Sequence, residues 1–423
     1  MTETPWGDAK ELRARKLAPG AGAAREEVVR SQRERLFAAM VAVCAQRGYE
    51  ATTVADLVAL SGVSRSAFYA HFANKEECFG AALGEILERS AKAVAARYDG
   101  RGSALAAFVE LIVGQPAASR VCFVESFAAG PEAVAAMDGA VAGFEGLVER
   151  GFAQRSGGTK MPAELVAAIV GGLRKVIYTR LRRGREAELS GLVEGLGEWS
   201  LGYQPPPQPL RRRRGGRGSG APAPGELFRS GDAAERLMAA ATETIAERGY
   251  PAARVEEIAK RASVSFSTFY EHFDGKEDVF AAALEAGQAQ MLALTLPAYR
   301  RAQGWPAAVR ASFEAMTDFL AEHPSFARLA IVEIFSGTTR ALERRDRTVE
   351  GLMGFLEPGY ERAPEAPAIA AEAIGGATYE LLYRQVRSGG AESLPRAAPL
   401  MTYIALAPFL GAEEACAVAN GGG

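Results

Sequence analysis

Two seventeen-residue runs hold the side chains best suited to recognition chemistry: VSRSAFYAHFANKEECF at 63–79 and VSFSTFYEHFDGKEDVF at 264–280. In the first run Ser64 is placed to cap a short helix over Arg65–Phe72. One face of that helix would carry Phe68 and Phe72, the other Arg65, Ser66, Tyr69 and His71. A helix that is apolar inside and bears Arg, Ser and Tyr outside suits the major groove, where arginine can bind guanine with two hydrogen bonds. Lys75 opens the next helix, where its ammonium and the first backbone amides can jointly hold a phosphate.

The elements that must position these residues are legible nearby. Thr53 precedes Val-Ala-Asp, so its hydroxyl caps a helix running to about Leu60, with Asp56 at the capping-box position. Ser61-Gly62-Val63 makes a tight turn, with Gly62 supplying a positive φ. Val54, Leu57 and Val63 are the expected packing partners of Phe68 and Phe72. The bland alternative is a solvated helix between two core phenylalanines. A repeat argues against it: residues 48–80 return at 249–281 with a constant offset and no gap.

The second copy keeps Ser265, Ser267, Tyr270, His272 and Lys276. Among its departures, four bear on the reading helix and its supports. Arg254 stands where Thr53 caps, Ser263 replaces the turn glycine, Phe266 replaces Arg65, and Thr268 replaces Ala67. Phenylalanine can touch only a thymine methyl or a sugar edge. The second copy is therefore expected to sit on DNA but to read it differently or more weakly.

The 423 residues allow two to four domains. Hydrophobic residues at 48% and charged residues at 24% are globular values. A net charge of −2 excludes wholesale coating of nucleic acid but not local basic surfaces. The helical periodicity of Leu36, Met40, Val43 and Cys44, and the lack of convincing two-residue alternation, predict an all-α chain. Residues 1–29 read as a flexible arm, 30–90 as a first head with its helix-turn-helix at 53–72, and 91–203 as a first helical regulatory domain. A Pro/Arg/Gly linker at 204–226 precedes a second head at 231–291 with its helix-turn-helix at 254–273. A second helical domain at 292–412 and a tail at 413–423 follow. VESF at 124–127 resembles VEIF at 332–335, and IVGG at 169–172 resembles AIGG at 373–376.

The pattern G-Y-x-x-T-[TS]-V-x-D-[LI], then G-V-S-x-x-x-[FL]-Y-x-H-F-x-x-K-E, is similar to the N-terminal head of the tetracycline-repressor-type (TetR/AcrR) regulators. The resemblance covers about 60 residues in each half, roughly 30–90 and 231–291. It implies a dimeric all-α repressor of a double-stranded DNA operator, released by a small apolar ligand held in the helical domain. By position it implies base contacts from Arg65, Ser66 and Ala67. Phosphate contacts would come from Thr53, Tyr69, His71 and Lys75. Ser64 joins the first interface. Arg254, Ser265, Phe266, Ser267, Thr268, Tyr270, His272 and Lys276 form the second.

The ligand site is expected among Phe108, Phe123, Glu125, Phe127, Phe144 and Tyr178 in the first half. In the second half it is expected among Glu333, Phe335, Tyr379 and Tyr383. Helices at about 163–183 with 187–203 and 367–388 with 395–410 would supply dimer-type bundles. The halves would then pair within one chain, or two chains would pair as a homodimer. Four scattered cysteines and three histidines support no disulfide framework, metal site or cofactor, and no catalytic motif stands in suitable context. No apolar run predicts a leader or a membrane span, so a cytoplasmic protein is expected. The rival reading is a ligand-sensing or protein-interaction module in which the second head, or both, no longer reads DNA specifically.

Overall fold

The computed structural model describes residues 2–17, 25–97, 104–155, 160–211, 213, 227–228, 231–336 and 339–422. Among these the chain is helical, apart from a small hairpin pairing Glu3–Thr4 with Gly7–Asp8. Two compact units form: Met1–Leu147 with Arg174–Gly197, and Val148–Leu173 with Glu198–Gly423.

The first unit holds the first head, built from helices Arg25–Arg47, Val54–Ser61, Arg65–His71 and Lys75–Arg97. The opening helix starts with Glu26 and Glu27 in its first turn, where acidic side chains favour the positive helix end. Its middle is buried on every side, from Arg35 to Cys44, not along one stripe. Two covers contribute: the helix Pro116–Phe123, through Ala118, Val121 and Cys122, and the N-terminal segment. Residues 2–17, expected as part of a flexible arm, fold over the head. Trp6 is buried with its ring centroid 5.4 Å from that of Phe37, and the Arg89 guanidinium lies 5.1 Å above it. Leu12 is fully buried, and Arg13 Nε donates to the Ala59 carbonyl at 2.8 Å. Burial of Trp6 and Leu12 contributes roughly 1.5–3 kcal/mol each toward holding the segment in place. The rest of the expected arm at 18–24 lies outside the described residues.

The second unit holds the second head: Ala233–Arg248, Val255–Arg261, Phe266–His272 and Lys276–Arg301. The last of these is the one described single helix long and apolar enough to cross a membrane, yet Val279, Phe280, Ala283 and Leu284 are buried in the unit's interior. Helices Trp305–Glu322, Pro324–Ile331, Thr339–Met353, Ala370–Gly389 and Ala398–Ala419 follow. The expected tail is not a tail. Helix continues to Ala419 across a kink at Gly411, whose φ is 78°, and Ala415, Cys416, Val418 and Ala419 are buried. The described part of the linker is likewise held: Arg213 forms a two-pronged ion pair with Asp318 at 2.6 and 2.7 Å, and Arg211 N donates to Asn420 Oδ1 at 2.6 Å. Linker residues 212 and 214–226 lie outside the described residues.

Segments from both halves of the sequence meet inside this second unit. A Cβ on Gly171 would lie 2.3 Å from Glu380 Cβ, and one on Gly172 would lie 2.6 Å from the Ala373 carbonyl oxygen, so only glycine admits this packing. Tyr203 Oη donates to the Ile404 carbonyl at 2.8 Å, while Tyr403 Oη donates to the Gln204 carbonyl at 2.7 Å. The two tyrosines, and the two acceptors, are each offset by 200 residues. The bonds are therefore reciprocal, as a two-fold interface requires.

Candidate nucleic-acid interface

In the first head the local chemistry builds the turn. Thr53 and Asp56 form a complete capping box, with Asp56 N donating to Thr53 Oγ1 at 3.2 Å and Thr53 N to Asp56 Oδ2 at 3.0 Å. That hydrogen-bonding holds the Asp56 carboxyl below its ordinary pKa, with Thr53 the largest cause. Gly62 ends the helix with φ 66°. Arg35, buried in the opening helix, donates to the Ser61 carbonyl at 2.8 Å and locks the turn to the head. Ser64 Oγ accepts from Ala67 N at 3.1 Å and so starts the Arg65–His71 helix. Phe68 is fully buried beneath it. Arg65, Ser66 and Tyr69 are exposed on its outside, and Ala67 is half-buried.

Two expected contacts are placed differently. Lys75 Nζ donates to the Tyr49 carbonyl at 3.0 Å and sits 4.1 Å from the Tyr49 ring centroid. Its ammonium straps the fourth helix to the loop after the first; it does not stand out toward solvent. His71 Nε2 bonds Gln32 Oε1 at 2.7 Å. Burial, then the neighbouring Arg33, lowers the His71 pKa, which favours the neutral ring and weakens a charge-based role at phosphate.

The second head repeats the scaffold with weaker joints. Ser265 caps its reading helix through Thr268 N at 3.0 Å, and Arg236 repeats the Arg35 lock, donating to the Ala262 carbonyl at 3.3 Å. Arg254 is an N-cap whose side chain makes no capping bond. Ser263, where the first head has Gly62, is forced to φ 56°, the one positive φ among the described non-glycine residues. On the outer face Phe266 and Tyr270 are 48% and 49% exposed and stack edge-on with centroids 4.9 Å apart. Ser267 and His272 are exposed beside them, and Lys276 Nζ is tied to the Tyr250 carbonyl at 2.7 Å. Here Phe266 replaces the arginine of the first head, while Tyr270 keeps the exposed position of Tyr69.

Behind the second head lies a cavity of about 120 Å3, walled by Met291, Phe313, Phe326, Leu352, Ile374 and Tyr379 among others. Its hydroxyls do not make it polar. Thr295, Ser312 and Thr378 each donate back to a carbonyl of their own helix, at 2.8, 2.9 and 2.9 Å. One charged group reaches the wall: Arg345, buried with Asp346 at 2.8 Å, its guanidinium 4.8 Å from the Phe335 ring centroid. Of the expected pocket residues Tyr379 is on this wall. Phe335 packs edge-on against Tyr379 and Tyr383, with centroids 6.0 and 5.8 Å away. In the first unit Phe108 packs on Phe123 and Phe144, and Phe127 on Tyr178, all through ring contacts.

Glu125 and Glu333, expected in the pocket, face the heads instead. Their carboxylates accept the backbone N–H of Tyr49 at 2.8 Å and of Tyr250 at 3.0 Å. Burial is the largest influence on Glu125 and pushes its carboxyl pKa up, against the opposing pull of the Tyr49 amide and Arg120. The sequence holds no signal for such a bond, because its partner is a main-chain amide.

The sequence profile described as bacterial regulatory proteins, tetR family, matches this chain twice, over residues 36–82 and 237–283. The HTH-type transcriptional activator FasR of Mycolicibacterium smegmatis is 33% identical over 152 residues, which are 35% of this chain and 58% of that protein. The chain thus spans little more than half the length of that relative. TtgW of Pseudomonas putida, described as an uncharacterized HTH-type transcriptional regulator, is 27% identical over 123 residues, covering 29% of this chain and 88% of that one. Among solved structures, the fatty acid degradation regulator FadR of Bacillus halodurans aligns with 42% of this chain and 95% of its own, at 22% identity and a TM-score of 0.38.

Proposed function

We propose, on the premise that both heads matched by the tetR-family profile work as that family's heads do, that the chain is a sequence-specific transcriptional regulator carrying a complete pair of DNA readers. The observation that carries the reading is the outer face of Arg65–His71. Arg65, Ser66 and Tyr69 stand exposed on a helix capped at Ser64 and fixed from below by Phe68. A rigid helix presenting one bidentate donor is the form that major-groove readout needs. The second head presents Phe266 in place of Arg65, so the two half-sites it serves with the first head are unlike. That replacement, with the uncapped Arg254, also favours the rival idea of a second head that holds DNA with little base preference.

The pairing of the halves is proposed to be internal. The reciprocal bonds of Tyr203 and Tyr403 support it, since they satisfy within one chain what a homodimer would satisfy between two. The ligand is proposed to be a compact apolar molecule entering the cavity behind the second head and releasing DNA, as a repressor requires. The apolar walls support that class, and Arg345 would favour an anionic or carbonyl end. Four free, buried cysteines suit the reducing cytoplasm in which such a regulator would act, with no catalytic role.

Selecting bound sequences from random duplex DNA with the full chain tests the reading. Two unlike half-sites, one holding a guanine that is lost with Arg65→Ala, are expected. No enrichment, or a perfect inverted repeat, would overturn it.

A further inference from the structure

The loop after the first helix of each head is gripped at a single peptide. Gly48 and Gly249 end those helices with φ of 80° and 82°, which turns the next amide away from the helix. That amide, of Tyr49 or Tyr250, donates to Oε2 of Glu125 or Glu333. Each glutamate is the first residue of a 3-10 turn in the regulatory part of its own half, and each side chain is 8% exposed. A Cβ on either glycine would lie 3.5 Å from the glutamate oxygen, an ordinary contact, so it is the positive φ and not space that favours glycine here. Oε1 is held by the preceding helix, through Arg120 at 3.4 Å and Arg328 at 3.4 Å. The other side of the same peptide is held by the head itself, through Lys75 or Lys276 on the tyrosine carbonyl. Five residue types recur in both halves in one arrangement, although the glutamates have drifted from the offset of the heads.

In the second half this grip adjoins the cavity. Helix Pro324–Ile331 lines it with Phe326, Ala330 and Ile331, and Glu333 follows directly. Tyr379, also on the wall, donates to the Ile331 carbonyl at 2.7 Å. Phe326 presses on Gly287 of the long helix leaving the head, where a Cβ would lie 2.1 Å from its ring. The wall and the residue that holds Tyr250 are thus joined through one short helix.

We infer that Glu125 and Glu333 are positioning residues: each carboxylate-to-amide bond fixes the angle of a DNA-reading head on its regulatory domain, and in the second half it carries the state of the cavity to that head. The second clause rests on the function proposed above; the first does not.

The test uses the full chain with spin labels at Lys260→Cys and Glu322→Cys, both outside the cavity in the second unit. Pulsed electron resonance gives the distance distribution between them, and amide exchange reports on Tyr250. The unmodified latch should give one narrow distribution. Glu333→Ala should broaden it and speed Tyr250 exchange about tenfold or more, the loss of one buried bond, while amides of Phe269 and Val279 stay protected. Glu333→Gln keeps a carbonyl oxygen for the amide and should restore both readouts. Glu333→Asp keeps the charge but withdraws the oxygen by a methylene and should broaden the distribution, which keeps the test decisive should the alanine variant not fold. A narrow distribution in both Glu333→Ala and Glu333→Asp would overturn the assignment, whether or not the chain binds DNA. On the selected duplex, Glu333→Ala should weaken protection of the second half-site about tenfold and leave the first unchanged. Broadening without that loss would overturn the coupling to DNA alone.

Discussion

The second head carries two local defects that the first lacks, and repairing them makes a sharp test. Ser263 sits at φ 56°, where an L-residue is penalised by about 1–2 kcal/mol relative to ordinary helical space. Its side chain is exposed, so Ser263→Gly removes no buried contact. Glycine's greater freedom in the unfolded chain offsets about 0.5–1 kcal/mol of the relief, leaving a gain of roughly 0.5–1 kcal/mol. Arg254→Thr supplies a hydroxyl at an N-cap that makes no side-chain bond, and Glu257 already stands at the capping-box position. That is worth about 1 kcal/mol. The two sites flank the Val255–Arg261 helix, roughly 12 Å apart by helix rise, so the gains should add. The sum, about 1.5–2 kcal/mol, predicts a 10- to 30-fold slowing of native-state amide exchange at Phe269 and Val279 in the second head. Exchange in the first head should not change. Unchanged or faster exchange in the double variant would refute the claim that strain and a missing cap weaken this head.

Three further outcomes follow from the geometry. Arg65→Ala should lower affinity for the selected duplex by about 1–3 kcal/mol and relax preference at one base pair, read by competition binding; equal loss on random DNA would remove Arg65 from base readout. Tyr203→Phe and Tyr403→Phe should each destabilise the second unit by about 1 kcal/mol in denaturant titrations, and by similar amounts, because the bonds they lose are reciprocal. Glu125 has its carboxyl pKa raised chiefly by burial, so the folded chain holds that proton to higher pH than the unfolded chain. Its contribution is therefore fully present below the ordinary carboxylate range and is lost as pH rises through the raised value. The difference in unfolding free energy between the unmodified chain and Glu125→Gln, measured from acid to neutral pH, should show that decline.

Chemistry that closes within a few residues is legible in the sequence. The caps at Thr53, Ser64 and Ser265 and the turn at Gly62 each depend on partners within one helical turn, so residue type and spacing specify them. Roles set by distant partners are not legible. Lys75 and His71 read as phosphate ligands from their positions, but their bonds run to Tyr49 and Gln32, 26 and 39 residues away. Residues 2–17 read as an arm because Gly and Ala follow them and charges are scattered through them. Only the fold shows that Trp6 and Leu12 have a face to cover. Glu125 and Glu333 stand out in the sequence as acids among apolar neighbours. Their destination, a backbone amide in the head, leaves no trace in side-chain pattern.

The central claim is that one chain supplies both readers of one operator. Native mass spectrometry of the chain on its selected duplex tests this most directly. The account predicts a complex of one 44.8 kDa chain per duplex with both half-sites protected in a matching footprint. Two chains per duplex, each protecting one half-site, would contradict it.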